Sequence, residues 1–176
     1  MERTIATYDA DCVHVMGDFQ FAFNVERFYE DGGGRLELWK GNDFIGRIKA
    51  CFPVGMNLED LVEAVDEEHR YEFPDEWLFQ VDRAYLENPQ DGHGMAQDAH
   101  GVALYNAAFE AAKMVGAAGI VSEWDEPAAK ELWAKLAPKY GASIEERSIL
   151  IGQATDNPSY VPVYIALFKM AAVAAS

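Results

Sequence analysis

Two acidic residues lie in predicted strands at places from which their side chains could reach a bound ligand. Asp82 belongs to the strand predicted from Trp77 to Tyr85, and Glu123 lies near the end of the strand predicted from Gly119 to Trp124. A carboxylate beside a ligand can accept a proton directly or through one water molecule, as a general base does. We therefore take Asp82 and Glu123 as candidate bases, although most carboxylates at strand ends are only solvated.

Other reactive side chains lack the spacing that a known chemistry requires. His93 and His100 flank a glycine-containing loop at a spacing that matches no zinc pattern, so we predict no metal site. Cys12 and Cys51 lie far apart and form no CxxC pair, which favours two buried thiols over a disulfide. The sequence also contains no Walker loop and no nucleophile elbow.

The predicted elements that must position these residues alternate between strand and helix. Residues 19–28 fit either a strand or one face of a helix, and the pattern leaves both open. The later elements are a hairpin (35–52), a helix capped by Asn57, a strand (77–85), a helix ending at Gly116, a strand (119–124), a helix ending at Gly141, and strands 143–151 and 160–169. This order predicts an α/β (α+β) fold with a central mixed sheet flanked by helices. No linker divides the chain, so we expect one domain over residues 1–176.

The acidic excess limits the partners that the chain can bind. Thirty acidic residues against fourteen basic residues give a formal net charge of −16 at pH 7. Repulsion disfavours direct binding to nucleic acid or to anionic lipid. No apolar run is long enough to span a membrane and the N-terminus has no apolar signal segment, which predicts a soluble, cytoplasmic protein. The acidity could attract a cationic amine, imitate the phosphate charge of DNA, or serve solubility alone.

The segment from Leu78 to Gly141 resembles the GNAT (acyl-CoA N-acyltransferase) superfamily. Leu78–Tyr85 is similar to the central strand of that family. Ala96–Gly101 is similar to the family's Q/R-x-x-G-x-G/A loop, whose backbone amides open a helix and hold the coenzyme A pyrophosphate. Glu126–Trp133 is similar to the family's N-x-x-A-x-x-x-Y helix.

The resemblance implies a GNAT-like fold in which the central strand diverges from its neighbour and acetyl-CoA lies in the gap. Backbone N–H groups at a strand bulge near Val81 would polarise the thioester carbonyl. Asp82 or Glu123 would deprotonate a primary amine, carried by a small molecule or a protein. The implied coenzyme-binding residues are Val81, Arg83, Gln97, Asp98, Ala99, His100, Gly101 and Val102.

Departures from the family pattern support a second hypothesis. Ala96 and Ala99 replace a polar residue and a glycine of the loop, Asp98 brings a negative charge to it, and Gln90–Gly94 offers an alternative cradle. Trp133 replaces the tyrosine that often protonates the leaving thiolate. The second hypothesis is a catalytically inactive, acidic GNAT-like protein that binds or inhibits a basic protein partner. Pairing of the final strands between two chains would give a homodimer.

Overall fold

The computed structural model describes residues 5–51, 78–89, 94–122, 128–151 and 159–168. Within these ranges eight strands form one sheet, and three α-helices accompany it. The strands are β1 (Val13–Met16), β2 (Phe19–Ala22), β3 (Gly33–Lys40), β4 (Asp43–Cys51), β5 (Leu78–Leu86), β6 (Gly119–Val121), β7 (Ser143–Ile151) and β8 (Ser159–Leu167). The helices are α1 (Val25–Asp31), α2 (Ala99–Met114) and α3 (Ala129–Leu136). The helix predicted from Asn57 lies outside the described residues.

The sheet is mixed, as the alternating order of elements predicts. Its strand order is β1-β2-β3-β4-β5-β6-β8-β7. All neighbouring strands pair antiparallel except β5 and β6, which run parallel. A parallel pair needs a long crossover connection, and α2 lies within the connection between these two strands. The predicted α/β class with a mixed sheet is therefore correct.

Residues 19–28, whose pattern fits either a strand or a helix, contain a strand followed by the start of a helix. The strand β2 ends at Ala22, and α1 begins at Val25. Asn24 separates them because its side-chain oxygen accepts a hydrogen bond from the Arg27 N–H at 3.0 Å, which caps the helix. Gly32 ends the helix in the left-handed conformation, with φ of 69°.

The core lies between the sheet and α2. Leu36 of β3, Ile48 of β4 and Phe79 of β5 belong to one buried apolar cluster with Leu104 and Ala108 of α2. Side chains alternate between the two faces of a strand, so the residues between these core positions project to the opposite face. We call the face of the sheet opposite α2 the second face. None of the helices in the described ranges combines the length and apolar character of a membrane span.

The helix α3 joins the same core through Trp133. The ring of Trp133 meets the rings of Tyr105 and Phe109 edge-on, at centroid distances of 5.7 and 5.2 Å. Its indole N–H donates a hydrogen bond to the Tyr164 carbonyl oxygen at 2.7 Å. Trp133 is thus a fully buried packing residue whose only polar group is satisfied.

Candidate functional site

The parallel pairing of β5 with β6 is short because β6 ends at Val121. Their parallel ladder contains three residue pairs and ends at Gln80 opposite Val121. The strand β5 nevertheless continues to Leu86. Within the described residues no other strand pairs with this side of β5 beyond Gln80, and we call this unpaired side of the strand the gap. An extended ligand could use the backbone groups of β5 along this gap.

A bulge lies at the mouth of this gap. The register between β4 and β5 shifts, because Val81 pairs with Ala50 whereas Arg83 pairs with Lys49. Asp82 is the extra residue between them. A bulge bends its strand and changes the direction of the side chains and amides at that point. The bulge expected near Val81 is present, and it places Asp82 at the turning point of the strand.

Asp82 lies on the second face among polar side chains of β4 and β5. One carboxylate oxygen lies 3.5 Å from the Lys49 Nζ, and the Asp82 side chain is 41% exposed. The Cys51 thiol donates a hydrogen bond to the buried Gln80 side chain at 3.3 Å. Burial, and then the negative charge of Asp82, raise the pKa of Cys51. The thiol therefore stays protonated at neutral pH and is a poor nucleophile.

Sequence reasoning identified Asp82 but missed its neighbours Lys49, Cys51 and Gln80. The signal that could have found them is the period-two alternation of β4 and β5, which puts Lys49 and Cys51 on one face. The alternation does not say which residues of two strands meet, because that depends on their register. Glu123, the other candidate base, lies outside the described residues.

The predicted phosphate-binding amides at the start of α2 are already hydrogen-bonded. Asp98 caps the helix, and its Oδ1 accepts hydrogen bonds from the N–H groups of His100 at 2.8 Å and Gly101 at 3.4 Å. The Val102 N–H donates to the Asp98 carbonyl oxygen at 2.9 Å. Asp98 is 2% exposed. A pyrophosphate can therefore reach these amides only if the Asp98 side chain moves away.

Gly101 has a packing role at this helix start. A Cβ at position 101 would lie 2.9 Å from the Met95 Cα and closer still to the Met95 carbonyl oxygen. The turn before α2 thus approaches the helix so closely that only glycine fits. Close packing of protein backbone, rather than approach of a phosphate, accounts for this glycine.

Of the other predicted coenzyme-binding residues near α2, Gln97 and Ala99 are exposed, whereas His100 and Val102 are half-buried. The Gln97 side-chain N–H donates to the Glu131 carboxylate at 2.7 Å, which joins this turn to α3. The His100 ring meets the Phe19 ring edge-on at 6.0 Å. Ala99 is the first residue of α2, and Val102 is half-buried against the core. The predicted residues therefore form two groups, one at the bulge (Val81, Asp82 and Arg83) and one at the start of α2 (97–102).

Two tyrosines are relevant to proton donation. Tyr140 stacks on Phe109 at 5.0 Å and donates a hydrogen bond to Glu110 at 2.9 Å, so it is held against α2. Burial raises the pKa of Tyr140. Its contacts agree with the packing role that its helical spacing indicates. Tyr85 lies on β5 itself and is exposed, and its hydrogen bond to Glu87 raises its pKa.

A cavity of about 520 Å³ lies elsewhere, between the N-terminal segment (residues 5–12), α1 and β3. Its walls include Tyr8, Cys12, Arg27, Arg35 and Glu37. Glu37 is buried and accepts a hydrogen bond from the Tyr8 hydroxyl. The cavity is large enough for a small organic ligand. The sequence predicted none of these residues, since the cavity depends on how distant segments meet.

Comparisons with known proteins assign no family to the chain. No protein-family model matches it, and a search of curated proteins finds no significant match.

Proposed function

We propose that the protein is a GNAT-like N-acetyltransferase that moves an acetyl group from acetyl-CoA to a primary amine. The short ladder between β5 and β6, which ends at Gln80 while β5 continues to Leu86, carries this proposal. A parallel pair of strands that stops pairing inside a sheet leaves a slot lined by backbone donors and acceptors. Such a slot suits the narrow, amide-containing arm of an acyl thioester.

The residues at the bulge supply the groups that acyl transfer needs. An amine nitrogen forms a bond to the thioester carbonyl carbon, the carbon–sulfur bond breaks, and coenzyme A leaves as a thiolate. Backbone N–H groups of β5 near Val81 would stabilise the oxyanion. The Asp82 carboxylate would take the proton that the amine loses. The thiolate would take a proton from solvent, because Trp133 is buried and donates its N–H to a carbonyl group.

Thiol release from acetyl-CoA tests the proposal with a panel of primary amines. We expect the wild type to release thiol with at least one amine, and Asp82→Asn to lower kcat by about 10²- to 10⁴-fold. KM for acetyl-CoA should change little, since Asp82 acts on the amine. The matched control is Asp43→Asn, which removes one exposed carboxylate from the other end of β4. A wild type without activity toward any amine contradicts the proposal.

The capped start of α2 favours a second candidate function. The Asp98 carboxylate occupies the amides that would bind pyrophosphate, as expected for a fold that no longer binds coenzyme A. The net charge of −16 would then serve to bind a basic protein. This candidate predicts no coenzyme A binding at millimolar concentration, together with a basic partner that high salt releases.

A further inference from the structure

Three basic side chains form one cross-strand row on the second face. Arg35 of β3 pairs with Lys49 of β4, and Lys49 pairs with Arg83 of β5. Arg47 lies two residues before Lys49 on the same face, with its guanidinium 5.1 Å from the centre of the Tyr85 ring. The four basic residues are all exposed. We call Arg35, Lys49 and Arg83 the basic row.

The basic row is unfavourable for folding alone. Like charges directly opposite each other on neighbouring strands destabilise a sheet. The chain has thirty acidic residues and only fourteen basic ones, so composition does not impose the arrangement. Neither Arg35 nor Arg83 forms an ion pair within the part of the chain that the structure describes. Because these like charges repel one another and destabilise the sheet, their presence indicates a ligand of opposite charge.

Nearby acidic residues offset part of the charge of the basic row. Asp82 lies 3.5 Å from Lys49 and offsets one of the three positive charges. Glu37 lies opposite Arg47, and of the two aspartates that line the cavity with Arg35, Asp31 forms an ion pair with Arg27 whereas Asp9 remains as a negative charge. Arg35 and Arg83 thus have no ion-pair partner among the described residues, on a protein whose net charge is −16.

We propose that the basic row binds a small organic molecule, separate from the acetyl-CoA in the gap, that carries more than one phosphate group. Neighbouring strands lie about 4.8 Å apart, so the row spans roughly 10 Å, which suits a chain of two or three phosphates. Guanidinium groups bind phosphate oxygens through paired hydrogen bonds. The net charge repels long polyanions at a distance, which selects a small molecule over nucleic acid.

The cavity beside β3 provides space for the rest of this ligand. Arg35 belongs both to the basic row and to the walls of the cavity, which is about 520 Å³ in volume. Ala22, Phe23 and Cys12 give the walls apolar surface. A ligand that placed its phosphates on the row could thus place an organic group in the cavity.

The charge of the basic row also affects which amine the protein would accept, an inference that rests on the proposed acetyl transfer. Lys49 contacts Asp82 at the bulge, so the basic row adjoins the proposed site of acyl transfer. The net charge of the chain suggests a cationic acceptor, whereas the local charge on this face favours an amine that also carries an anionic group. Phosphate binding itself needs no acetyl transfer.

Calorimetric titration with inorganic triphosphate at low salt tests the proposal. We expect the wild type to bind, and Arg35→Gln or Arg83→Gln to weaken binding by about tenfold or more, because each removes hydrogen bonds to a charged group. The matched control is Lys130→Gln on α3, which removes an exposed positive charge away from the row and should change affinity less than about twofold. Both row variants should be at least as stable as the wild type, because each relieves repulsion.

Three results would overturn the proposal. They are absence of binding at millimolar triphosphate, equal weakening in Lys130→Gln, and unchanged affinity when Arg35 and Arg83 are both replaced. Citrate that binds as tightly as triphosphate would overturn the assignment to phosphate. Acetyl-CoA is absent from this experiment, so a failure of acetyl transfer leaves its result unchanged.

Discussion

The Asp98 carboxylate accepts a hydrogen bond from the backbone N–H of His100 at 2.8 Å, where α2 begins. The same oxygen also accepts from the Gly101 N–H at 3.4 Å. A side-chain cap of this kind stabilises a helix by about 1 kcal/mol. A bound pyrophosphate would need the same two donors. Capping of the helix and binding of coenzyme A therefore compete at this position.

Replacing Asp98 with serine should strengthen binding of coenzyme A. Asp98→Ser removes the negative charge yet keeps a good capping residue, so the free energy of unfolding should fall by less than about 1 kcal/mol. Affinity should rise by about tenfold, because a carboxylate within a few ångströms of a phosphate repels it by about 1–4 kcal/mol. Calorimetric titration with coenzyme A measures this change. Asp18→Ser, in an exposed turn, makes the same change in charge and should leave the affinity as it is.

Gly101→Ala should destabilise the protein, whereas Gly94→Ala should not. The added methyl group at position 101 would collide with the Met95 backbone, while a Cβ at position 94 meets nothing within 4 Å. We expect a loss of about 1–3 kcal/mol in the first variant. Urea unfolding of both variants gives the comparison. Equal stability of the two would show that the turn can shift without cost, and would remove the packing explanation for Gly101.

Tyr140→Phe should weaken the dependence of stability on alkaline pH. Burial, and then the hydrogen bond to Glu110, raise the pKa of Tyr140 above its ordinary value of 10.0. Above pH 10 the unfolded chain loses this proton while the folded protein keeps it, so stability falls as the pH rises. The phenylalanine variant loses a hydrogen bond worth about 1 kcal/mol at neutral pH but lacks this decline.

Urea unfolding between pH 8 and 11.5 measures the alkaline effect. The stability difference between the wild type and Tyr140→Phe should shrink as the pH passes 10. A constant difference over this range would mean that the Tyr140 pKa is not raised in the folded protein. Tyr29→Phe serves as the control, because Tyr29 also donates a hydrogen bond through its hydroxyl but is exposed.

Asp82→Asn should make Cys51 more reactive. After burial, the Asp82 charge is the next cause that raises the pKa of Cys51, and Lys49 opposes it. Removing the carboxylate should therefore increase the thiolate fraction and speed alkylation by iodoacetamide at pH 8 by roughly 3- to 10-fold. The experiment uses a Cys12→Ser background so that one thiol reports. Asp43→Asn is the control and should leave the rate unchanged, whereas a rate unchanged by Asp82→Asn would contradict this arrangement.

Local sequence signals predicted most of the helices and strands in the part of the chain that the structure describes. The spacing of Tyr105, Phe109 and Ala112 predicted a buried face for α2, and all three are buried. Gly116 follows that helix with φ of 75°, as expected after a helix end. These features depend on residues a few positions apart, so they can be predicted from the sequence alone. The capping role of Asp98 carries the same kind of local signal, an acidic residue just before a helix.

The polar neighbourhood of the site was not predictable in this way. The contact between Lys49 and Asp82, and the alignment of Arg35 with Lys49, depend on the register of strands that are distant in the chain. The sequence shows that each of these residues alternates with apolar ones, but it does not show which partner each one meets. The cavity beside β3 likewise needs three separate segments to come together.

Amide chemical shifts during titration with acetyl-CoA show directly where the coenzyme binds. We predict that the largest shifts occur along the gap, in Val81–Tyr85 of β5 and Gly119–Ser122 at β6. Shifts confined to amides that line the cavity, such as those of Tyr8 and Gly34, would contradict it. So would the absence of any shift at millimolar acetyl-CoA.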